Sequence, residues 1–323
     1  MAVIDVFNGD ADGLCALLQL RLADPQQSEL VSGVKRDIAL LERVQAASGD
    51  RVTVLDVSMD KNREPLERIL GAGAEVFYVD HHFAGDIPDH PGLSSRINTA
   101  ADVCTSLLVN GHLQGAYAEW AIVGAFGDNL RASAQAVAKQ CDLDEAQVSR
   151  LENLGVYLNY NGYGASLDDL HFTPTELFEK MRSFDSPFTF MEEAAETFEA
   201  LQAGYQNDMR AAAKLPPVHA SDTAAVYVLP NERWARRVSG VYGNDLANAY
   251  PARAHAVLTE KANGNYLVSI RAPLNNKRGA DEFCRQFPTG GGRAAAAGIN
   301  DLAGGNLEQF CAQFDAFYRE LNG

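Results

Sequence analysis

The sequence predicts an α/β protein in which a parallel-sheet domain over residues 1–187 is followed by a linker helix, 188–217, and a smaller α+β domain, 218–323. Three observations carry this. The chain of 323 residues is about twice the length of an ordinary single domain. Its first part alternates short apolar runs with stretches long enough for helices, and its last part returns to strands after a long helical segment.

The apolar runs are Val3 to Phe7, Glu29 to Val34, Arg51 to Val57 and Glu75 to Val79. Between them, Leu14 to Ala23, Asp37 to Ala47 and Lys61 to Leu70 read as helices, which makes βαβ units and a parallel sheet. Helix formers then dominate Ala101 to His112, Tyr117 to Phe126, Ala132 to Gln140 and Asp144 to Leu154, and Gly162 to Gly164 reads as a loop. From Phe190, the positions Ala194, Phe198, Leu201, Tyr205 and Met209 recur at helical spacing, and this is the expected linker helix. Beyond Pro216-Pro217, strands are expected at Ala224 to Leu229, His255 to Lys261 and Tyr266 to Arg271. Asn263-Gly264 marks a tight hairpin turn between the last two. Trp234 to Tyr250, Ala280 to Gln286 and Leu307 to Leu321 read as the remaining helices.

With 46% hydrophobic and 22% charged residues the chain is not disordered, and no apolar run approaches the roughly 18 residues of a membrane span. Five scattered cysteines without a C-x-x-C pair argue against a disulfide framework and a thiolate zinc site. No signal peptide is evident at the start, so the cytoplasm is the expected compartment. The net charge of −16 is the wrong sign for gripping long nucleic acid, although residues 222–299 carry ten basic against six acidic side chains. A small anion held by a few cations is compatible with that balance.

Carboxylates stand at the ends of several expected strands. The first runs into Asn8-Gly9-Asp10-Ala11-Asp12-Gly13, the third into Asp56 and the fourth into Asp80-His81-His82, while a later helix ends in Gly127-Asp128-Asn129. In an open parallel sheet the carboxyl edge is where ligands bind, so these segments point to one cleft. Hard oxygen donors with one or two imidazoles suit Mn²⁺ or a similar divalent ion.

These segments resemble, in order, the four motifs of the DHH phosphoesterase superfamily. Thr289-Gly290-Gly291-Gly292-Arg293, continuing through Gly298, is similar to the glycine-rich signature of the DHHA1 domain. The resemblance therefore implies a DHH domain followed by a DHHA1 domain. It implies an activity among RecJ-like exonucleases, nanoRNases and dinucleotide phosphodiesterases, including those of cyclic dinucleotide signalling. Family II pyrophosphatases lack the DHHA1 signature. By position, Asp10 and Asp56 would hold one metal ion and Asp12, Asp56, His81 and Asp128 a second, with Asp56 bridging. Asn8 stands near where many members supply a further charged ligand, and it offers only a neutral amide.

The resemblance also implies two Mn²⁺ ions and attack by a metal-held hydroxide on phosphorus. His82 would donate a proton or hold a phosphate oxygen, and Asp80 would orient a ligating imidazole. Gly291, Gly292 and Arg293 would receive substrate phosphate, with Arg293 where members usually carry His, and Arg271, in a V-S-x-R-like run, would bind a terminal phosphate. The expectation is an Mn²⁺-dependent phosphodiesterase cleaving short oligoribonucleotides or linear dinucleotides (pNpN) to 5′-mononucleotides, with no long nucleic acid or membrane as partner. A 3′-phosphoadenosine 5′-phosphate phosphatase and a non-catalytic nucleotide sensor are the alternatives, and a homodimer stays open.

Overall fold

The computed structural model describes residues 1–322, and the chain divides into two compact units, Met1–Ala203 and the residues from Gly204 onward. The first unit is built on β1 (Val3–Phe7), α1 (Ala11–Ala23), β2 (Glu29–Val31), β3 (Arg51–Leu55), α2 (Arg63–Gly71), β4 (Glu75–Asp80) and β5 (Leu93–Ile97). All five strands are parallel in the order β2-β1-β3-β4-β5. That order reverses direction between β1 and β3, so the first two carboxylate-bearing strand ends flank the switch point of the sheet.

Both faces of the sheet are covered, which is why the strands read as nearly continuous apolar runs. On one face Ile4, Val6, Val52, Val54 and Tyr78 pack with Leu66 and Ile69 of α2. On the other, Asp5 and Thr53 receive Arg21 of α1. Outside α1 lie α3 (Thr105–His112), α4 (Ala118–Gly127), α5 (Arg131–Gln140) and α6 (Glu145–Gly162). Then come α7 (Pro174–Met181), α8 (Pro187–Glu193) and α9 (Ala195–Ala212), the last crossing the boundary between the units.

Several expected elements differ. Asp37 to Ala47 forms only a 3₁₀ turn, Leu40–Arg43. Its backbone is satisfied from outside: Asn62 donates to Ile38 O and accepts from Leu41 N, and Arg68 donates to Leu41 O and Val44 O. The edge strand β5, Leu-Ser-Ser-Arg-Ile, has too little apolar character to register as a strand. β2 ends at Val31, where the Ser32 hydroxyl takes over by bonding Phe7 O at 2.7 Å. α6 runs past the expected helix end at Leu154 to Gly162, the first residue of the expected loop. The expected single linker helix is two, α8 and α9, broken at Ala194. α7 is an addition to the expected elements, although Thr173-Pro174-Thr175-Glu176 carries a capping box and a proline in the first turn.

The second unit holds β6 (His219–Ala220), β7 (Ala224–Leu229), α10 (Arg233–Ala249), β8 (Ala254–Glu260) and β9 (Tyr266–Arg271). It continues with α11 (Ala280–Cys284), β10 (Gly290–Gly292), β11 (Ala296–Leu302) and α12 (Leu307–Asn322). Its sheet is mixed, in the order β10-β11-β9-β8-β7-β6, with β7 and β8 parallel across the α10 crossover. β8 and β9 join at the Asn263-Gly264 turn, where Gly264 takes a φ of 80° and donates its N–H to Lys261 O. Phe283, Phe310, Phe314 and Tyr318 fill the core against Val226, Leu258, Val268 and Ile270. No helix among the described residues is long and apolar enough to cross a membrane.

Candidate metal centre

The residue run after β1 builds the first corner of the site. Asp10 is the N-cap of α1, and its Oδ1 accepts from the N–H groups of Asp12 and Gly13 at 3.0 and 3.1 Å. Asp12, two residues further, is turned toward α3: its two oxygens accept from Thr105 N and Ser106 N at 2.8 and 2.7 Å. A carboxylate at a helix N-terminus suits the positive end of the peptide dipoles and fixes the Asp12 side chain in place.

Asp56, just after β3, adopts a φ of 57°, a left-handed conformation that costs a non-glycine residue energy and is tolerated best by Asp and Asn. Its N–H bonds Val79 O at 3.1 Å and its Oδ1 accepts from the Thr105 hydroxyl at 3.3 Å. β4 delivers His81 and His82. The Nδ1–H of His81 donates to Val103 O at 3.0 Å, so its Nε2 faces the carboxylates, 3.4 Å from Asp56 Oδ1, 3.7 Å from Asp128 Oδ2 and 4.0 Å from Asp12 Oδ2. Asp128 arrives as the C-cap of α4.

The ligand atoms of Asp12, His81 and Asp128 lie within 4.8 Å of one another, as do those of Asp56, His81 and His82. Three carboxylates and an imidazole whose second nitrogen is anchored on a backbone carbonyl therefore fit one divalent ion. The electrostatics agree. Burial, followed by the fields of Asp10 and Asp12, holds the Asp56 carboxyl well above the usual carboxylate range. Burial alone would lower the His81 pKa, but the bond to Asp56 and the charges of Asp56, Asp12 and Asp128 push it up to about 10. A divalent ion at this point would offset the clustered negative charge.

His82 sits differently from His81. Its Nδ1 bonds Asp80 Oδ1 at 2.8 Å and lies 3.8 Å from Asp56 Oδ1, and the side chain is 36% exposed. The expected partner of Asp80 is a ligating imidazole; the carboxylate instead orients His82, because Asp80 ends β4 pointing to the side of the chain that His82 shares, while Val103 O serves His81.

The expectation for Asn8 is also corrected. Its Oδ1 accepts from Asp10 N and its Nδ2 donates to Lys35 O, both at 3.2 Å, so the amide holds the turn after β1 and the backbone of Lys35. Lys35 is the functional residue that motif reading missed. Its Nζ forms an ion pair with Asp10 Oδ2, bonds Asn159 Oδ1 at 2.9 Å and lies 3.7 Å from Asp128 Oδ1. Burial alone would raise the Asp10 carboxyl, but the charge and hydrogen bond of Lys35, together with bonds from the Gly13 N–H and Asp56, hold it below its ordinary pKa. The groups expected to hold a second ion, Asn8 and Asp10, are thus engaged by the turn after β1 and by Lys35. The signal was present: Lys35 follows the apolar run of β2, the strand beside β1, at the same carboxyl edge.

The expected phosphate groups belong to the second unit. Gly290 to Gly292 are not a free anion loop but the edge strand β10, antiparallel to β11. A Cβ on Gly290 would lie 1.8 Å from Cys284 O, and Gly292, at a φ of 143°, has room for none. Gly291 meets no such limit. Arg293 is exposed in the β10–β11 turn, where its N–H bonds Ala296 O at 2.9 Å. Arg271 is less free than expected: its guanidinium bonds Asn244 Oδ1 at 2.6 Å, Ser269 Oγ and Ile270 O at 3.1 Å and Gly240 O at 3.3 Å, which ties β9 to α10.

No known family's sequence pattern matches the chain, and neither does any curated protein. Solved structures do. The chain is similar to the exonuclease RecJ bound to manganese, at 17% identity and a TM-score of 0.62, over 98% of this chain and 90% of that one. It is similar to RecJ from Thermus thermophilus in complex with Mn²⁺ at 19% identity and a TM-score of 0.61, over 99% of this chain but only 52% of that longer one. The pGpG-specific phosphodiesterase PggH from Vibrio cholerae aligns at 15% identity and a TM-score of 0.56, over 98% of this chain and all of that one (100%). The chain thus has the fold of these proteins, the fold that the DHH resemblance implies.

Proposed function

We propose that this chain is an Mn²⁺-dependent phosphodiesterase that hydrolyses short oligoribonucleotides or linear dinucleotides (pNpN) to 5′-mononucleotides. The observation that carries the reading is the convergence of Asp12, Asp56, His81 and Asp128 on one point at the carboxyl edge of the sheet. The fold shared with RecJ and with a pGpG phosphodiesterase of equal extent supports it.

A divalent ion there supplies a Lewis acid that eases deprotonation of water and offsets charge on an in-line phosphoryl transition state. The chain's own groups do the rest. Val103 O fixes the His81 ring, and the N–H groups of α3 fix Asp12, so both side chains are already aimed at the same point. Asp80 is a positioning residue: it holds the Nδ1–H of His82 and leaves Nε2 as the outward nitrogen, which would give a proton to the leaving oxygen when the ring carries both protons. Phosphate capture is assigned to Arg293 and the outward edge of Gly291-Gly292, with Arg271 holding the strand that backs them. The reading keeps long nucleic acid and membranes out of the list of partners, on the strength of the net charge of −16.

The test offers 5′-phosphorylated dinucleotides, longer RNA and 3′-phosphoadenosine 5′-phosphate, with Mn²⁺ or with chelator, to the wild type and to Asp56→Ala. Mn²⁺-dependent release of 5′-mononucleotides that the variant loses is the expected result. Release of free phosphate from 3′-phosphoadenosine 5′-phosphate alone would replace the reading with a phosphatase. A nucleotide sensor is the second reading, favoured by the ion pair of Lys35 with Asp10; tight binding without turnover in saturating Mn²⁺ would establish it.

A further inference from the structure

We infer that Lys35 occupies the place of a second cation, so that the centre is built for a single divalent ion flanked by a fixed ammonium. The inference rests on the metal-centre reading proposed above and concerns how many ions that centre holds.

The lysine is held at both ends. Its backbone N–H donates to Gly162 O at 2.8 Å and its carbonyl accepts from the Asn8 side chain at 3.2 Å. Its ammonium has three donors. Asp10 and Asn159 accept two of them, and Asp128 Oδ1 stands at ion-pair distance. The Tyr163 ring, 5.5 Å from Nζ, closes the side of the position. This is a set of contacts on three separate segments, the β1–α1 turn, the end of α4 and the end of α6, and it is not the splayed arrangement of a surface lysine.

The acceptors that the DHH resemblance gives to the other ion, those of Asn8 and Asp10, are already used. Asp10 gives one oxygen to the start of α1 and the other to Lys35, and Asn8 gives its amide oxygen to Asp10 N. Asp128 divides its two oxygens, Oδ1 toward Lys35 and Oδ2 toward His81. It thereby separates an ammonium position from a metal position. Charge balance follows the same division. Asp10, Asp12, Asp56 and Asp128 bring four negative charges, and one divalent ion with Lys35 compensates three of them, leaving the small residual negative charge common in carboxylate sites. The ammonium also differs from an ion in one functional respect, because a chelator cannot remove it.

Metal stoichiometry tests this without reference to turnover. Metal-free wild-type protein is loaded with excess Mn²⁺ and desalted, and bound Mn²⁺ is measured by atomic emission together with its low-temperature electron paramagnetic resonance spectrum. The expected result is one Mn²⁺ per chain with the spectrum of an isolated ion, rising to two in Asn8→Asp/Lys35→Ala, which frees Asp10 and adds a charged donor. Thermal melting and circular dichroism check the fold of the variant, and Lys35→Ala alone replaces it where the double variant does not fold. Two exchange-coupled Mn²⁺ ions in the wild type would overturn the inference while leaving the phosphodiesterase reading intact. A variant that stays at one ion would overturn it as well. No bound Mn²⁺ at all in the wild type would remove the metal-centre reading itself.

Discussion

At the scale of single residues, the metal centre is a place where the fold accepts unfavourable electrostatics in exchange for a binding site. Asp56 is buried, backbone-strained and raised well above its ordinary pKa, first by burial and then by Asp10 and Asp12. Asp56→Asn removes that repulsion and a metal donor together. The metal-free variant should therefore melt at the same temperature as the wild type or higher, while its Mn²⁺ affinity falls by at least about 100-fold. Calorimetric titration beside a melting curve reads both, and a variant that melts lower yet binds Mn²⁺ normally would contradict this account. His81 gives a pH prediction. Its folded-state pKa of about 10 exceeds the ordinary 6.5, so in metal-free protein protonated His81 contributes stability that is present below pH 6.5 and is lost as pH rises through about 10. A metal ligand must be the neutral imidazole, so Mn²⁺ displaces that proton, and apparent affinity should rise about tenfold per pH unit between pH 7 and 9. Titrations in buffers of different ionisation enthalpy count the proton. The acids and both histidines were legible because they sit in short motifs at strand ends or, for Asp128, at a helix end. Lys35 and Asn159 were not read, since Lys35 meets Asp10 across 25 residues and Asn159 across 124, and the place of Lys35 after the β2 run is a weak signal without those partners.

At the scale of elements, the site depends on how closely three helices approach. Gly127, at the end of α4, and Gly155, in α6, lie where side chains would collide: a Cβ on Gly127 would stand 2.3 Å from Ala11 Cβ, and one on Gly155 would stand 2.3 Å from Val123 O. That contact seats the last turn of α4 against the first turn of α1, which is why Asp128 reaches the cluster formed by Asp12 and His81. Gly127→Ala should cost about 1–3 kcal/mol through overpacking and weaken Mn²⁺ binding at the same time, since the helix end that must move carries Asp128. Gly111 in α3 is the control, having open space around its Cβ position; Gly111→Ala should raise stability by about 0.5–1 kcal/mol and leave Mn²⁺ affinity unchanged. Denaturant melts with and without Mn²⁺ separate the two, and equal destabilisation by both substitutions would refute the packing argument. In the sequence alone these glycines show no packing role. Their need became visible only with the neighbouring helices in place, for the same reason that α6 read as shorter than it is. By contrast, β1, β7 and β9 were legible to the residue, because a buried strand announces itself through its own apolar run. The edge strand β5, half of it polar, does not.

At the scale of the whole molecule, charge decides which polyanions are accepted. The chain carries −16 overall, and the ten basic residues of 222–299 are partly spent on internal pairs: Arg237 with Asp208, Arg285 with Asp281 and Lys261 with Asp301, while Arg271 is bonded to α10. Few cations remain to line a track for a long strand. Binding a polyanion releases roughly 0.7 counterions per phosphate contact on a single strand, so the salt dependence of kcat/KM counts those contacts. With about two phosphate contacts, raising NaCl from about 50 to 200 mM should lower kcat/KM for a 5′-phosphorylated dinucleotide by less than about tenfold, whereas a track of six or more contacts would lose about 300-fold or more. Longer RNA should gain nothing over the dinucleotide at low salt, where repulsion by the acidic surface is least screened, and the gap between the two should narrow as salt is added. Measuring both substrates across the same salt series decides the matter: a steep salt slope, or a preference for the longer strand at low salt, would mean that the exposed cations act as an extended groove and that the short-substrate reading is wrong.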